Sequence, residues 1–410
     1  MTFAPCHEHS AVGRCRTLTP TLTLTLAPIL TLTPTLTLTL TLAPILTLNP
    51  DHHLSQVGPM AGILSPSMPV LVVVDGADEG GEGGEGGEGG EGGEGGGNAY
   101  CSLNEGLGKV LRFGAHSEEV LVRLRWMRDK LGPLLDAALT SATLRGTGGV
   151  ALRPLLGAAL AMGDDGHNRC KALTALLLQA LAPPLAALDV RTLTTVHGDH
   201  GFDAADAAKA ISFLAENAHF GLNVAMGACK LALDRLSGLP HCTYTSAMCR
   251  NGVDFGVRVG GAGGAWHVAP SPAVPSAVWF KGYGPADACR DLGDSAITET
   301  LGLGAPAMAC APALMAFVGG TAAEALTYTA NARRTYARAG LWAELQMPAL
   351  DFAGVPMLLD AALVVANSAR PAINTGIAHK EPGVGQIGAG VSRAPLAPFE
   401  AAVMRLAAGL

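Results

Sequence analysis

Hydrophobic and polar positions change rhythm several times along the chain. Residues 17–46 alternate Thr and Leu almost strictly, in two near copies of one unit, TLTPTLTLTLAPIL and TLTPTLTLTLTLAPIL. A period of two suits a strand with one Leu face and one Thr face. Nothing in the flanking sequence would bury the Leu face, however, and an exposed strand of this kind invites aggregation. Residues 14–56 therefore read as a low-complexity insert, expected to be disordered or to form an adventitious hairpin. The apolar run SMPVLVVVDG reads as a buried strand closed by a turn. The Gly-Gly-Glu repeats at 79–97 maximise chain entropy and carry mutually repelling carboxylates, which predicts a flexible tether.

From residue 117 the apolar period becomes helical. Ser117 is a candidate N-cap ahead of Glu118 and Glu119 in SEEVLVRLRWMRDKLGPLLDAAL. Further helices are predicted over 151–162, over 167–182 ahead of Pro183 and Pro184, and over 204–236. Between 242 and 282 the texture turns to short strands with glycine turns. The remainder alternates helices with glycine-rich loops and ends on a helix over 396–408. This order predicts a mixed α+β (α/β) fold of several subdomains. They are an α/β front piece over 57–116, a mainly helical stretch over 117–236, and a glycine-rich α/β C-terminal part over 237–410.

Hydrophobic residues make up 49% of the 410 positions and charged residues 15%, so the folded part must be well covered, in its own core or in an oligomer. The formal charge of −7 comes mainly from six glutamates of the Gly-Gly-Glu run, and without them the balance is about −1. There is no basic footprint for nucleic acid. No apolar run approaches the ~18 residues of a membrane span, and no signal peptide is visible. The nine cysteines have no C-x-x-C pairing and read as reduced, mostly buried thiols, so a cytoplasmic setting is the default.

Five polar, glycine-bounded islands interrupt the apolar texture. The first is Asn104-Glu105-Gly106-Leu107-Gly108-Lys109 with Arg112, and the second Met162-Gly163-Asp164-Asp165-Gly166-His167-Asn168-Arg169. The third runs from Met248-Cys249-Arg250-Asn251-Gly252 to Arg258, and the fourth is GDSAITET, which contains Asp294 and Glu299. The fifth is NTGIAHKEPGVGQIGAG, with Asn374, His379 and Lys380. Its Gly383, Gly385 and Gly388 spell G-x-G-x-x-G, but no strand-then-helix context or downstream acid supports a dinucleotide site. No cofactor-binding residue is assigned.

Together these strings resemble the bacterial family, long described only as a domain of unknown function, that contains the G subunit of oxamate carbamoyltransferase. The resemblance runs from Val57-Gly58-Pro59-Met60 to the C-terminus, broken by the Gly-Gly-Glu insert. Residues 1–13 resemble a fragment of the segment that normally leads into Gly-Pro-Met, so the Thr/Leu repeat splits a family segment. The family's further N-terminal region has no counterpart here, which suggests an incomplete gene model. The resemblance implies a subunit acting in oxalurate phosphorolysis, the conversion of oxalurate and phosphate to oxamate and carbamoyl phosphate. It also implies partner subunits, one of them similar to acyl-CoA synthetases. A homo-oligomer, a non-catalytic scaffold role and hydrolysis of a related amide are the alternatives.

Carbamoyl transfer to phosphate needs an anion pocket, a donor to the developing oxyanion, and a group to move the amide proton. Arg250 and Arg258 suit carboxylate or phosphate through guanidinium forks, with Asn251 in the turn between them. His379 is a candidate catalytic donor in a loop of free backbone N–H groups, and Lys380 a phosphate contact. Asp294 and Glu299 are candidate catalytic carboxylates; the alternatives are a pair holding Mg²⁺ through waters, or Asp294 capping the following helix. Asn374, Asn104 and Glu105 are candidate substrate contacts. Asp164 and His167, three apart, are predicted on one face of a helix start and read as a cap and ion pair.

Overall fold

A computed structural model describes residues 22–27, 56–57, 60, 68–75, 98–141, 144, 149–339 and 341–409. The Gly-Gly-Glu tether, the 1–13 fragment and most of the Thr/Leu insert lie outside these residues.

The front of the molecule is a five-stranded sheet of order β2-β4-β3-β1-β5. Its strands are β1 (Leu22–Ala27), β2 (Gln56–Val57), β3 (Val70–Asp75), β4 (Asn98–Ser102) and β5 (Val150–Ala151). The β-branched run of β3 is the expected buried strand, with Val73 fully enclosed. β1 departs from the expectation of disorder or a hairpin within the repeat. It runs antiparallel to β3, from Leu22 opposite Asp75 to Ala27 opposite Val70, and also pairs with β5. The backbone of β3 needs hydrogen-bond partners on both edges, and a segment of period two supplies one of them.

Helices follow: α1 (Glu118–Trp126), α2 (Gly132–Leu139), α3 (Leu152–Ala161), α4 (Lys171–Ala186), α5 (Val190–His197), α6 (Asp206–Glu216) and α7 (Phe220–Asp234). A π turn at Met127–Leu131 joins α1 to α2. Ser117 sits at the N-cap of α1, but its side chain accepts no capping bond. Three boundaries differ from the sequence reading. α4 starts at Lys171 rather than 167, because the preceding polar string forms a loop. It also continues through Pro183 and Pro184, which lie near its C-terminal end where Ala187 N–H still reaches the Pro183 carbonyl at 3.2 Å. The helix expected over 204–236 breaks at Asn217, whose side chain bonds Asn104 O (2.8 Å) instead of continuing the helix.

α7 is the axis of the fold. It packs on β3 and β4 on one side and on the C-terminal elements on another. Gly227 permits the approach, since a Cβ there would meet Val73 at 2.8 Å. A second, antiparallel sheet has order β10-β6-β7-β8, with β6 at Thr245–Asn251, β7 at Asp254–Val259, β8 at His267–Pro270 and β10 at Leu292–Gly293. A third has order β15-β16-β9, with β9 at Ser276–Trp279, β15 at Ala372–Ala378 and β16 at Gln386–Arg393; between them in the chain, β11 (Tyr336–Ala339) pairs with β14 (Pro356–Leu359) and β12 (Gln346–Met347) with β13 (Ala353–Gly354). The literal G-x-G-x-x-G therefore falls in and after the turn of an antiparallel hairpin, not in a βαβ unit. The short, wholly buried helix α8 (Ala296–Leu301) packs against α7, β6 and β15. The chain closes on the expected terminal helix, Ala397–Ala408.

The largest apolar core takes residues from Leu71 to Leu358, on both sides of position 237. A second lies around Phe255 and Phe399, a third around Met308 and Val391. A small fourth cluster, Met60, Val110, Phe113 and Ala378, borders a cleft described below. Cys101, Cys170, Cys229, Cys242 and Cys249 are buried free thiols, as the scattered spacing implied. Among the described residues no single helix is long and apolar enough to cross a membrane.

Candidate active site

Residues 163–170 form the loop between α3 and α4, bent at Gly163 (φ 98°) and Gly166 (φ 77°). Asp164 and His167 thus do not share a helical face. Asp164 is the helix-end group: its Oδ2 accepts from Leu173 N–H at 2.8 Å, and Arg169 Nε lies 3.7 Å from its Oδ1. Burial pushes its carboxyl up to about 6. Asp165 organises the loop itself, its Oδ1 accepting from the N–H groups of His167 (3.0 Å) and Arg169 (2.8 Å).

His167, in consequence, is turned inward to Glu299 of α8, with Nδ1 2.8 Å from Oε1. Both side chains are buried. Glu299 is held from two further directions, by Asn374 N–H on Oε1 (2.8 Å) and Ala305 N–H on Oε2 (2.9 Å). The Asn374 amide then donates to Asp165 Oδ2 at 2.6 Å, which closes a ring of four residues through the backbone N–H groups of Asn374 and His167. Burial lowers the His167 imidazole below its ordinary range and raises Glu299 well above the carboxyl range, against the donors from Asn374 and Ala305. Both shifts disfavour the ion pair. A buried pair of this kind can pass its shared proton between Oε1 and Nδ1 with little change in net charge. His167 Nε2 is left to accept or donate a proton on the other side of the ring.

That other side is a small, solvent-open cleft, lined in part by Arg112, His167, Asn168, His219, Ser295 and Gln386. Among the described residues its lining holds one arginine and no carboxylate. Arg112 is buried, donates from Nη2 to Gly106 O at 2.6 Å, and lies 5.4 Å from the Phe113 ring centroid. Its Nε has no partner, nor has the buried Nδ2 of Asn168. Burial lowers Arg112 to about 10, so it remains a cation at neutral pH. A cation and an amide side chain in the lining of a small concave site suit a small anion carrying carbonyl oxygens.

The second histidine of the cleft is held neutral. Burial lowers His219 to about 4, helped by Arg112 and His167. Its resonance in histidine-labelled protein is expected to keep the neutral-ring shift down to about pH 5. An ordinary midpoint near ~6.5 would contradict that burial.

The residues singled out in the sequence divide into three groups. Glu299 and Asn374 belong to the buried ring. Asn104 and Glu105 support the cleft from behind: Asn104 Nδ2 donates to Asn223 Oδ1 (2.7 Å), and Glu105 accepts from the N–H groups of Leu111 (2.9 Å) and Arg112 (3.2 Å). The others lie elsewhere. Arg250 is not open to a substrate: its guanidinium is wholly buried, 3.0 Å from Asp291 and bonded to Gly293 O (2.7 Å) and Thr375 Oγ1 (3.2 Å). Arg258 is buried with its guanidinium 5.7 Å from the Trp266 ring centroid. Asn251 holds the β6–β7 turn through the N–H groups of Val253 (2.9 Å) and Asp254 (2.6 Å).

Asp294 is buried close enough to Cys249 to add to the upward shift that burial gives the thiol. Its charged and thiol neighbours are Cys101, Lys230 and Cys249, whereas Glu299 faces His167. Among the described residues no group of three His, Cys, Asp or Glu side chains is placed to hold a metal ion. His379 is half-buried, edge-on to Tyr283 at 5.8 Å, and its Nδ1 accepts from Glu381 N–H (2.9 Å). Lys380 is exposed and bonds Ala286 O at 2.9 Å. Neither lines the cleft, because β15 carries them past it.

The sequence places His167 and Arg112 inside polar islands but points neither of them to catalysis or binding. The available signal was a lone His among glycines and acids ahead of a helix. Its partner, 132 residues away, is not visible in local spacing. Gly304 is a further support. At φ 75°, its N–H donates to Asp165 O (2.7 Å), and a Cβ there would run into the Glu299 carboxylate. Gly304→Ala should cost about 1–3 kcal/mol in urea unfolding, and should displace Glu299 from His167.

The fold and the site define a mixed α+β protein with a small-anion cleft over a buried carboxylate–histidine pair. The family model for oxamate carbamoyltransferase subunit AllG matches residues 46–84 and 91–295, and the chain belongs to that family. It is 43% identical over 358 residues to oxamate carbamoyltransferase subunit AllG of Escherichia coli (strain K12), spanning 87% of this chain and 77% of that protein. It is 38% identical over 354 residues to the uncharacterized protein YahG of the same organism, spanning 86% and 67%. A crystal structure of a conserved protein of unknown function from Enterococcus faecalis V583 matches with a TM-score of 0.76 at 40% identity. That match covers 88% of this chain and 78% of the other.

Proposed function

We propose that this chain is a subunit of a carbamoyltransferase-type enzyme and carries the site at which a small ureido acid, oxalurate, reacts with phosphate. The observation that carries the reading is the buried His167–Glu299 pair beneath a cleft whose lining cation, Arg112, has an unpartnered Nε. Family membership supports the substrate class.

In this reading the terminal carboxylate of oxalurate sits on Arg112, and Asn168 donates to the carbamoyl oxygen, where negative charge develops. A phosphate oxygen attacks the carbamoyl carbon, and the bond from that carbon to the bridging nitrogen breaks. His167 Nε2–H gives its proton to the departing nitrogen as the Glu299 proton passes to Nδ1, and the proton of the attacking phosphate then restores Nε2–H. The products are carbamoyl phosphate and oxamate. Glu299 orients the ring and shares its second proton, so the imidazole need not be charged in the resting state. The partners implied are phosphate, the ureido acid and the other subunits of the complex, including one similar to acyl-CoA synthetases.

The test is oxalurate phosphorolysis measured on this chain alone and after assembly with those subunits, with carbamoyl phosphate as the product assayed. Activity that depends on this chain and disappears with Arg112→Gln and His167→Gln supports the reading. An assembled complex that keeps full turnover with both substitutions would make the chain a scaffold.

A further inference from the structure

A second concavity borders Glu299 from a different direction. Two of its lining residues are Ala305, whose N–H is bonded to the Glu299 carboxylate, and Tyr336, whose hydroxyl donates to Glu299 O at 2.7 Å. It encloses about 670 Å³ open to solvent, and its rim carries Arg334, Arg370 and Arg393 with no carboxylate in the lining.

We propose that this concavity binds a small molecule carrying a diphosphate group. Guanidinium groups around one hollow repel each other, and among the described residues none of the three forms an ion pair with a carboxylate. Two of them are held in place rather than free in solvent. Arg370 donates from Nε to Ala394 O (3.0 Å) and from Nη2 to Arg393 O (2.8 Å), which fixes its plane. The Arg393 guanidinium lies over the Tyr328 ring, 5.3 Å from the centroid. Fixed planar forks match phosphate oxygens in pairs, and three cations balance the roughly three charges of a diphosphate. The active-site cleft differs in kind: its lining holds a single arginine.

Free pyrophosphate and a nucleoside diphosphate present the same group, so calorimetric titration of the full chain should use pyrophosphate, ADP, inorganic phosphate and citrate separately. The expected result is saturable one-to-one binding of pyrophosphate or ADP, with phosphate and citrate at least about tenfold weaker. Tighter binding of ADP identifies a nucleotide site, and equal binding a site for the diphosphate alone. The double variant Arg334→Gln, Arg393→Gln alters two exposed side chains and should weaken binding at least about tenfold. Arg112→Gln should leave it unchanged, which separates this site from the cleft. The proposal is overturned if neither diphosphate saturates, if citrate binds as tightly, or if the double variant keeps the original affinity.

Discussion

Replacing His167 with alanine is expected to lower kcat of the assembled enzyme by about 10²–10⁴-fold, the range lost when a positioned acid–base group is removed. kcat/KM should fall in parallel, because the proton is moved only in the transition state. Glu299→Gln should lose part of the same factor. It removes the shared proton site but keeps an oxygen that can accept from Asn374 N–H or Ala305 N–H. The wild-type pH–rate profile adds an independent check. Burial lowers the His167 pKa, so the acid limb of kcat/KM should lie below the ordinary imidazole value, with the ring still neutral at pH 6. His379→Ala is the informative comparison, since that residue stands in a loop beside Tyr283 and outside the cleft. Should His379→Ala abolish turnover while His167→Ala spares it, the assignment of the acid–base role to His167 would be wrong.

Arg250→Ala is expected to have the largest effect on stability, about 3–5 kcal/mol by urea denaturation, as when one partner of a buried ion pair is removed. The cause is what remains. Asp291 is fully enclosed, and although burial alone would raise its carboxyl, Arg250, Ser392 and Thr375 hold it below the usual range. Without the guanidinium it keeps only the hydroxyls of Thr375 (2.9 Å) and Ser392 (2.5 Å) and its own neighbour's N–H. A loss near that of an ordinary surface substitution, below about 0.5 kcal/mol, would show that Arg250 is not the structural tie described. Arg250→Met separates charge from volume. If the cost is the orphaned carboxylate, Met should restore little above pH 7 and more as Asp291 becomes protonated.

The sequence made the mixed fold, the helical middle and the polar islands legible, because apolar period, glycine and proline are local signals. Glu299 and Asn374 were legible for the same reason, as polar residues inside otherwise apolar strings. What local pattern cannot say is which way a side chain faces once distant segments meet. Arg250 looked like a clamp because its partner, Asp291, lies 41 residues on and outside any motif. His167 looked like part of a helix start because Glu299 is invisible from 132 residues away. Asp294 and Glu299 looked like a pair, but Asp294 precedes α8 and Glu299 lies within it, so the two carboxylates serve different neighbours. β1 was misjudged for a related reason: a repeat with no local cover was paired by a strand almost fifty residues later.

The strand β15 carries adjacent residues into separate networks. Asn374 reaches Asp165 and backs Glu299, while Thr375 reaches Arg250 and Asp291. The register that sets both is the pairing of β15 with β16, where Asn374 lies opposite Val391 and Thr375 opposite Gly390. A slip of one residue would turn every side chain of the strand to the opposite face. The carboxylate–histidine pair and the buried arginine tie would then fail together. The register of this strand therefore works as a fidelity check on assembly, since one pairing error would undo two separate buried networks at once.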